Sequence, residues 1–317
     1  MGYKFSGTRI RSGKTGDFRD FVEACARIAD DLTKLGLSWR DGRFGEYLSL
    51  LLKAKDIGFG AVAEPDRELA HEALHQWYQL SVARRAWDHF KSDPQQSLLL
   101  RKLRDIVKGS VRALEDSAPD RPRDALFELL VASEICGEHE RIQLGDPFPD
   151  LLFWPQRYGR GRSVVGVECK RPTNVERGLE RALRDGLANA RKPGEVDVHV
   201  IALALDRMTA ERGVFDLGLS EEDAEKRILS SQTPVMARIT DRIVGQSPPL
   251  WPHVRGLIVV HSPILWIGGY RLHQPTFQVF VDTVVEGSVT RKKDIADLDR
   301  LSKAFLGPSP GPWRPPH

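Results

Sequence analysis

PDLLFWPQRYGRGRSVVGVECK, residues 149–170, is the stretch from which the rest of the chain is read. Asp150 opens a short apolar run, Leu151-Leu152-Phe153-Trp154, and Val164 to Lys170 forms a second. Two β-rich runs joined by a polar, glycine-containing stretch predict a hairpin. Side chains alternate along a strand, so Glu168 and Lys170 share one face while Val167 and Cys169 point to the other. An ionised carboxylate and an ammonium at the end of an apolar strand lose hydration unless they are paired or bound to metal. Asp150, Glu168 and Lys170 therefore mark a candidate site.

Such a trio suits metal-assisted hydrolysis of a phosphodiester. Hard cations such as Mg2+ take oxygen ligands, usually one or two carboxylates with water and phosphate. Asp150 and Glu168 are the expected carboxylate ligands, with the Cys169 carbonyl as a further one. Lys170 is expected to orient the attacking water and to offset charge developing on the phosphate. The order Pro149-Asp150, hairpin, Glu168-Cys169-Lys170 resembles the PD-(D/E)XK nuclease superfamily, the restriction-endonuclease-like fold. The resemblance covers about residues 120 to 205. It implies a Mg2+-dependent endonuclease, with Mn2+ able to substitute, acting on nucleic acid and on DNA in preference to RNA. It also implies a role in phage defence or restriction. The family places a glutamate on the helix before the hairpin; residues 124–137, DALFELLVASEICG, fit that helix, and Glu128 is the position carried over. Glu134 is set aside, being close to the helix end and the next strand. The alternative is a non-catalytic nucleic-acid-binding or assembly subunit on the same fold.

Composition sets the frame. The chain has 317 residues, 41% hydrophobic and 29% charged, which suits about two globular domains. No apolar run approaches the length of a membrane span, and the first residues lack a signal-peptide core, so no membrane partner is expected. Cys25, Cys136 and Cys169 are odd in number, far apart and set in apolar patterns, as expected of reduced core residues in a cytoplasmic protein. A net charge of +3 is too small to indicate a polyanion partner by itself. Distribution matters more: the turn 157–162 holds Arg157, Arg160 and Arg162 and no acid, and with Arg171 these form the expected nucleic-acid contacts.

The front of the chain reads as helices. Phe18, Phe21, Val22, Cys25, Ile28, Leu32 and Leu35 recur at helical spacing, with Gly36 as the stop. A shorter helix is expected over Glu46–Lys55. A long one begins near Pro65, with Leu69, Ala73, Trp77, Leu80 and Trp87 on one face and its end at Asp93-Pro94. Leu99, Leu103, Ile106 and Leu114 mark another. Residues 116–123, with two prolines and no periodicity, read as a linker. Gly7 to Thr15 imitates a phosphate-binding loop but has five residues between its glycines, where that loop has four, and it is expected to be a flexible basic arm or a disordered terminus. His71-Glu72-Ala73-Leu74-His75 matches the zinc-peptidase pattern, yet no third ligand is marked and both histidines fall off the apolar stripe, which favours a solvated polar face.

Behind the hairpin, Asn174 is placed to cap a helix running to about Ala190, with Leu179, Leu183, Leu187 and Ala190 buried. Asp197–Leu205 suits a central strand covered on both faces. A helix cap is expected at Ser220 with Asp223, and a second helix from Thr233-Pro234 to about Gly245. Strands follow at 256–262 and 276–282, separated by a turn at 266–270, then a helix through Ile295, Leu298, Leu301 and Phe305. His261 at a strand end reads as a core residue. The whole is an α/β chain: a helical N-terminal module over 1–116, a mixed-sheet, restriction-endonuclease-like nuclease domain over 117–306, and a Pro-rich tail over 307–317. Two roles stand open for the module, binding a partner protein or shaping a DNA channel.

Overall fold

The computed structural model describes residues 5–11, 16–90, 95–110, 120–135, 141–145, 148–154, 164–174, 176–192, 196–205, 214–217, 221–244, 250, 253–261, 264–267, 271–273 and 276–282. The expected turn arginines Arg157, Arg160 and Arg162, the helix near residue 300 and the Pro-rich tail lie outside them.

Helix α1 spans Phe18–Lys34; the Asp17 carboxylate caps it by accepting from Arg19 N at 2.7 Å, and Gly36 at φ 72° turns the chain out of it. Then come α2 (Arg43–Ile57), α3 (Glu64–Phe90), α4 (Gln96–Lys108) and α5 (Arg121–Ile135). Apolar periodicity predicted α1 to α4 and the family resemblance α5, although α4 closes at Lys108 and α5 begins three residues before Asp124, inside the expected linker.

The central sheet has seven strands in the order β1-β11-β8-β6-β5-β4-β3. These are β1 (Phe5–Arg11), β3 (Arg141–Leu144), β4 (Leu151–Trp154), β5 (Val165–Lys170), β6 (Val198–Ala204), β8 (Val254–His261) and β11 (Thr276–Asp282). β3–β4–β5 is an antiparallel meander, β5, β6 and β8 run parallel, and β11 and β1 return antiparallel. The expected arm at the N-terminus is thus an edge strand: its backbone groups find partners on β11. A second sheet, β2-β10-β9-β7, is formed by β2 (Gly16–Asp17), β7 (Val214–Leu217), β9 (Ile264–Ile267) and β10 (Arg271–His273). Sequence reading gave no strand at 214–217 and placed a turn at Trp266, where the structure has β9.

Side-chain alternation divides the core. Val165 and Val167 of β5, with Val198, Val200, Ala202 and Ala204 of β6 and Ile258 and Val260 of β8, face α1–α5 in one continuous hydrophobic cluster. No gap in that cluster marks the boundary expected near residue 116. Ile201 and Leu203 of β6, with Leu257 and Val259 of β8, face the other way, onto α6 (Arg177–Ala190) and α7 (Glu221–Val244). Two helices were expected where α7 runs unbroken through Pro234. Proline there removes a backbone bond and costs about 3 kcal/mol. Val235, Met236, Ile239 and Ile243, buried against the sheet, hold the helix together across it.

Candidate functional site

The site lies where β4 and β5 pair, on the sheet face that carries α6. Asp150 is placed by backbone. Gly145 N donates to Asp150 O at 2.9 Å, and a Cβ on Gly145 would collide with the Pro149 carbonyl oxygen, so only glycine allows this turn. Leu151 pairs with Val167, which sets Asp150 beside Glu168 on the neighbouring strand. Asp150 Oδ2 accepts from Cys169 N at 2.7 Å. Cys169 itself packs its side chain against the helix-side core, and burial pushes its thiol up, well above the ordinary range. Only its main chain is turned to the site.

Glu168 is buried, with a relative exposure of 1%. Its Oε2 accepts from Lys170 Nζ at 3.0 Å and from Asn189 Nδ2 of α6 at 3.0 Å. Its Oε1 is buried with no protein partner. Asn189 Oδ1 in turn accepts from Lys192 Nζ at 2.7 Å, and that ammonium lies over the Phe148 ring, 3.9 Å from its centre. Asn189 is thereby fixed from two sides while it orients Glu168.

Glu128 projects from α5, and its Oε2 accepts from Lys102 Nζ of α4. Burial raises the pKa of Glu128; Lys102 opposes the shift and Asp124 adds to it. Asp150 is pushed up to about 7, because it is buried and faces the charges of Glu128 and Glu168, which Lys170 and the Cys169 N–H only partly offset. Burial works against the Lys170 ammonium, but Glu168 and Asp150 outweigh it and raise its pKa. Glu128, Asp150, Glu168, Lys102 and Lys170 make three acids against two bases, in a place where burial penalises every unpaired charge.

The structure therefore brings Asp150, Glu168, Cys169 and Lys170 together and sets Glu128 within their electrostatic reach. Glu134 is buried six residues, or about 9 Å, further along α5. Arg171 is turned onto Asp124 of α5 at 3.5 Å and its side chain is almost wholly buried, a position that braces α5 against the end of β5. Asn174 Oδ1 accepts from Glu176 N and Gly178 N, as expected of a cap for α6.

Three residues of this environment were not foreseen. Lys102 flanks the Leu99–Leu103–Ile106 stripe of α4, and a lysine at the edge of a buried face was its one signal. Asn189 and Lys192 lie at the end of α6, off its buried stripe, and no local pattern marks them.

The side chains of His71-Glu72-Ala73-Leu74-His75 are engaged with neighbours other than one another. Glu72 Oε1 accepts from Arg123 Nε at 3.1 Å and Nη2 at 2.9 Å, His75 contacts Gln79 at 3.3 Å, and His71 stacks on Phe59. His75 is buried rather than solvated. His261 is buried in β8. Among the described residues no group of three or more His, Cys, Asp or Glu side chains is arranged to hold a metal ion, and no helix is long and apolar enough to cross a membrane. A metal at the candidate site would rest on two carboxylates and main-chain or water oxygens. Compared with protein-family models, with curated proteins and with solved structures, the chain matches none.

Proposed function

We propose that the protein is a divalent-metal-dependent nuclease that hydrolyses phosphodiester bonds, in DNA above all, on a restriction-endonuclease-like core. The observation that carries the reading is the buried Glu168 Oε1, without a protein partner and next to an Asp150 carboxyl pushed up to about 7. A buried, unpaired carboxylate oxygen amid excess negative charge is costly unless a cation completes it. The sequence α5, β3, β4, β5, with β5 then parallel to β6, supports the fold assignment.

In this reading Asp150, Glu168 and the Cys169 carbonyl would hold Mg2+, or Mn2+ in its place, with Glu128 contributing through water. Bound metal supplies charge stabilisation and a more acidic water. Lys170, held by Glu168, would orient an attacking water and offset the charge growing on the phosphate. Asn189 keeps Glu168 Oε2 engaged so that Oε1 stays available. Arg157, Arg160 and Arg162 are assigned to the DNA backbone. A protein partner on the N-terminal helices is compatible with this scheme, as is a setting in phage defence.

The test is cleavage of duplex DNA, single-stranded DNA and RNA with Mg2+, with Mn2+ and with chelator. Parent protein should cut DNA only with metal, and Asp150→Asn and Lys170→Ala should each remove cutting while leaving the fold intact. Equal cutting by parent and both variants would place the reaction elsewhere.

A further inference from the structure

Helix α4 buries Leu99, Leu103, Ile106 and Val107. Lys102 lies beside that stripe, and its ammonium donates to Glu128 Oε2 across the α4–α5 contact. Both side chains are largely hidden, 13% and 14% exposed. An ion pair this dry differs from a surface pair, because removing one partner leaves the other charged and unsolvated. α4 is also fixed to the sheet at its start. The Gln95 side chain donates to Leu144 O at 2.9 Å and accepts from Leu144 N at 2.7 Å. Leu144 leads straight into Gly145, whose backbone holds Asp150. One helix thus grips both the turn that carries Asp150 and the side chain of Glu128.

We infer that Lys102 is a positioning residue of the proposed metal site: by engaging Oε2 of Glu128 it leaves Oε1 as the oxygen offered to a metal-bound water. The inference rests on the nuclease reading and deepens it. It makes the N-terminal helices a working part of the site, since α4 supplies the ammonium that engages Glu128. A methionine keeps the stem that packs beside Leu99 and Leu103 and loses only the ammonium; arginine keeps the charge and the donor.

The experiment is calorimetric titration of the full chain with Mn2+, without DNA, together with a melting curve in chelator. Lys102→Met should weaken Mn2+ binding by roughly tenfold to a hundredfold, the range for residues that orient ligands. Lys102→Arg should recover most of it. On a Glu128→Gln background Lys102→Met should change little, because the carboxylate it serves is gone. If Lys102→Met binds Mn2+ like the parent while Asp150→Asn abolishes binding, the inference is wrong and the metal site stands. Equal weakening in the Met and Arg variants, alongside lower melting temperatures, would make Lys102 a packing residue and overturn the inference. Absence of Mn2+ binding in the parent itself would overturn both.

Discussion

Replacing Asp150 with asparagine is expected to make the metal-free protein more stable, and increasingly so as pH rises. Burial and the neighbouring charges of Glu128 and Glu168 hold the Asp150 carboxyl at about 7 in the folded chain, against an ordinary 3.8. The folded state therefore keeps a proton that the unfolded chain has already released. Stability is fully present below about pH 3.8 and falls as pH climbs through about 7. At about 1.4 kcal/mol for each tenfold change in proton affinity, the interval amounts to roughly 4 kcal/mol above pH 7, shared with the coupled Glu128. Asparagine does not titrate, and its side-chain oxygen can still accept from Cys169 N. Urea unfolding in chelator at pH 5 and pH 8 measures the effect. Asp150→Asn should exceed the parent by a margin that widens by a few kcal/mol between the two values. Saturating Mg2+ should narrow that margin at pH 8, since about 2.7 kcal/mol is gained at a hundred times the dissociation constant, and by the parent alone. A destabilisation of equal size at both pH values would refute the buried-charge reasoning.

Two arginines in the helical layer should respond in opposite directions. Arg43 is fully buried with no protein partner on any guanidinium nitrogen, and burial and the nearby Arg123 push it down to about 10; Arg43→Met should be neutral or stabilising by about 1–2 kcal/mol. Arg123 joins Glu72, Asp120 and Tyr47, so Arg123→Met should cost about 3–5 kcal/mol in the same urea assay. Gly145→Ala should displace the Pro149–Asp150 turn, lowering stability by about 1–3 kcal/mol and cancelling any rise in melting temperature on adding Mn2+.

Local pattern carried much of this structure. Helical spacing located α1 to α4, and period-two alternation put Val167 and Cys169 on one side of β5 and Glu168 and Lys170 on the other. It failed where tertiary packing overrode a local signal. Pro234 reads as a helix start, but the apolar face of α7 continues through it. Residues 5–11 read as an arm, although β11 supplies the partners that make them a strand. Lys102 and Asn189 were hidden for another reason. Each meets its carboxylate through a contact between elements far apart in sequence, 26 residues for Lys102 with Glu128 and 21 for Asn189 with Glu168. Spacing along the chain does not report such a pairing.

The most direct test of the account is a crystal structure of the parent protein soaked in MnCl2, with anomalous scattering used to place the metal. One peak is expected within about 2.2 Å of an Asp150 oxygen and of Glu168 Oε1, with Lys170 Nζ still on Glu168 Oε2. A peak elsewhere, or no peak and Glu168 Oε1 bonded to a protein donor, would contradict it.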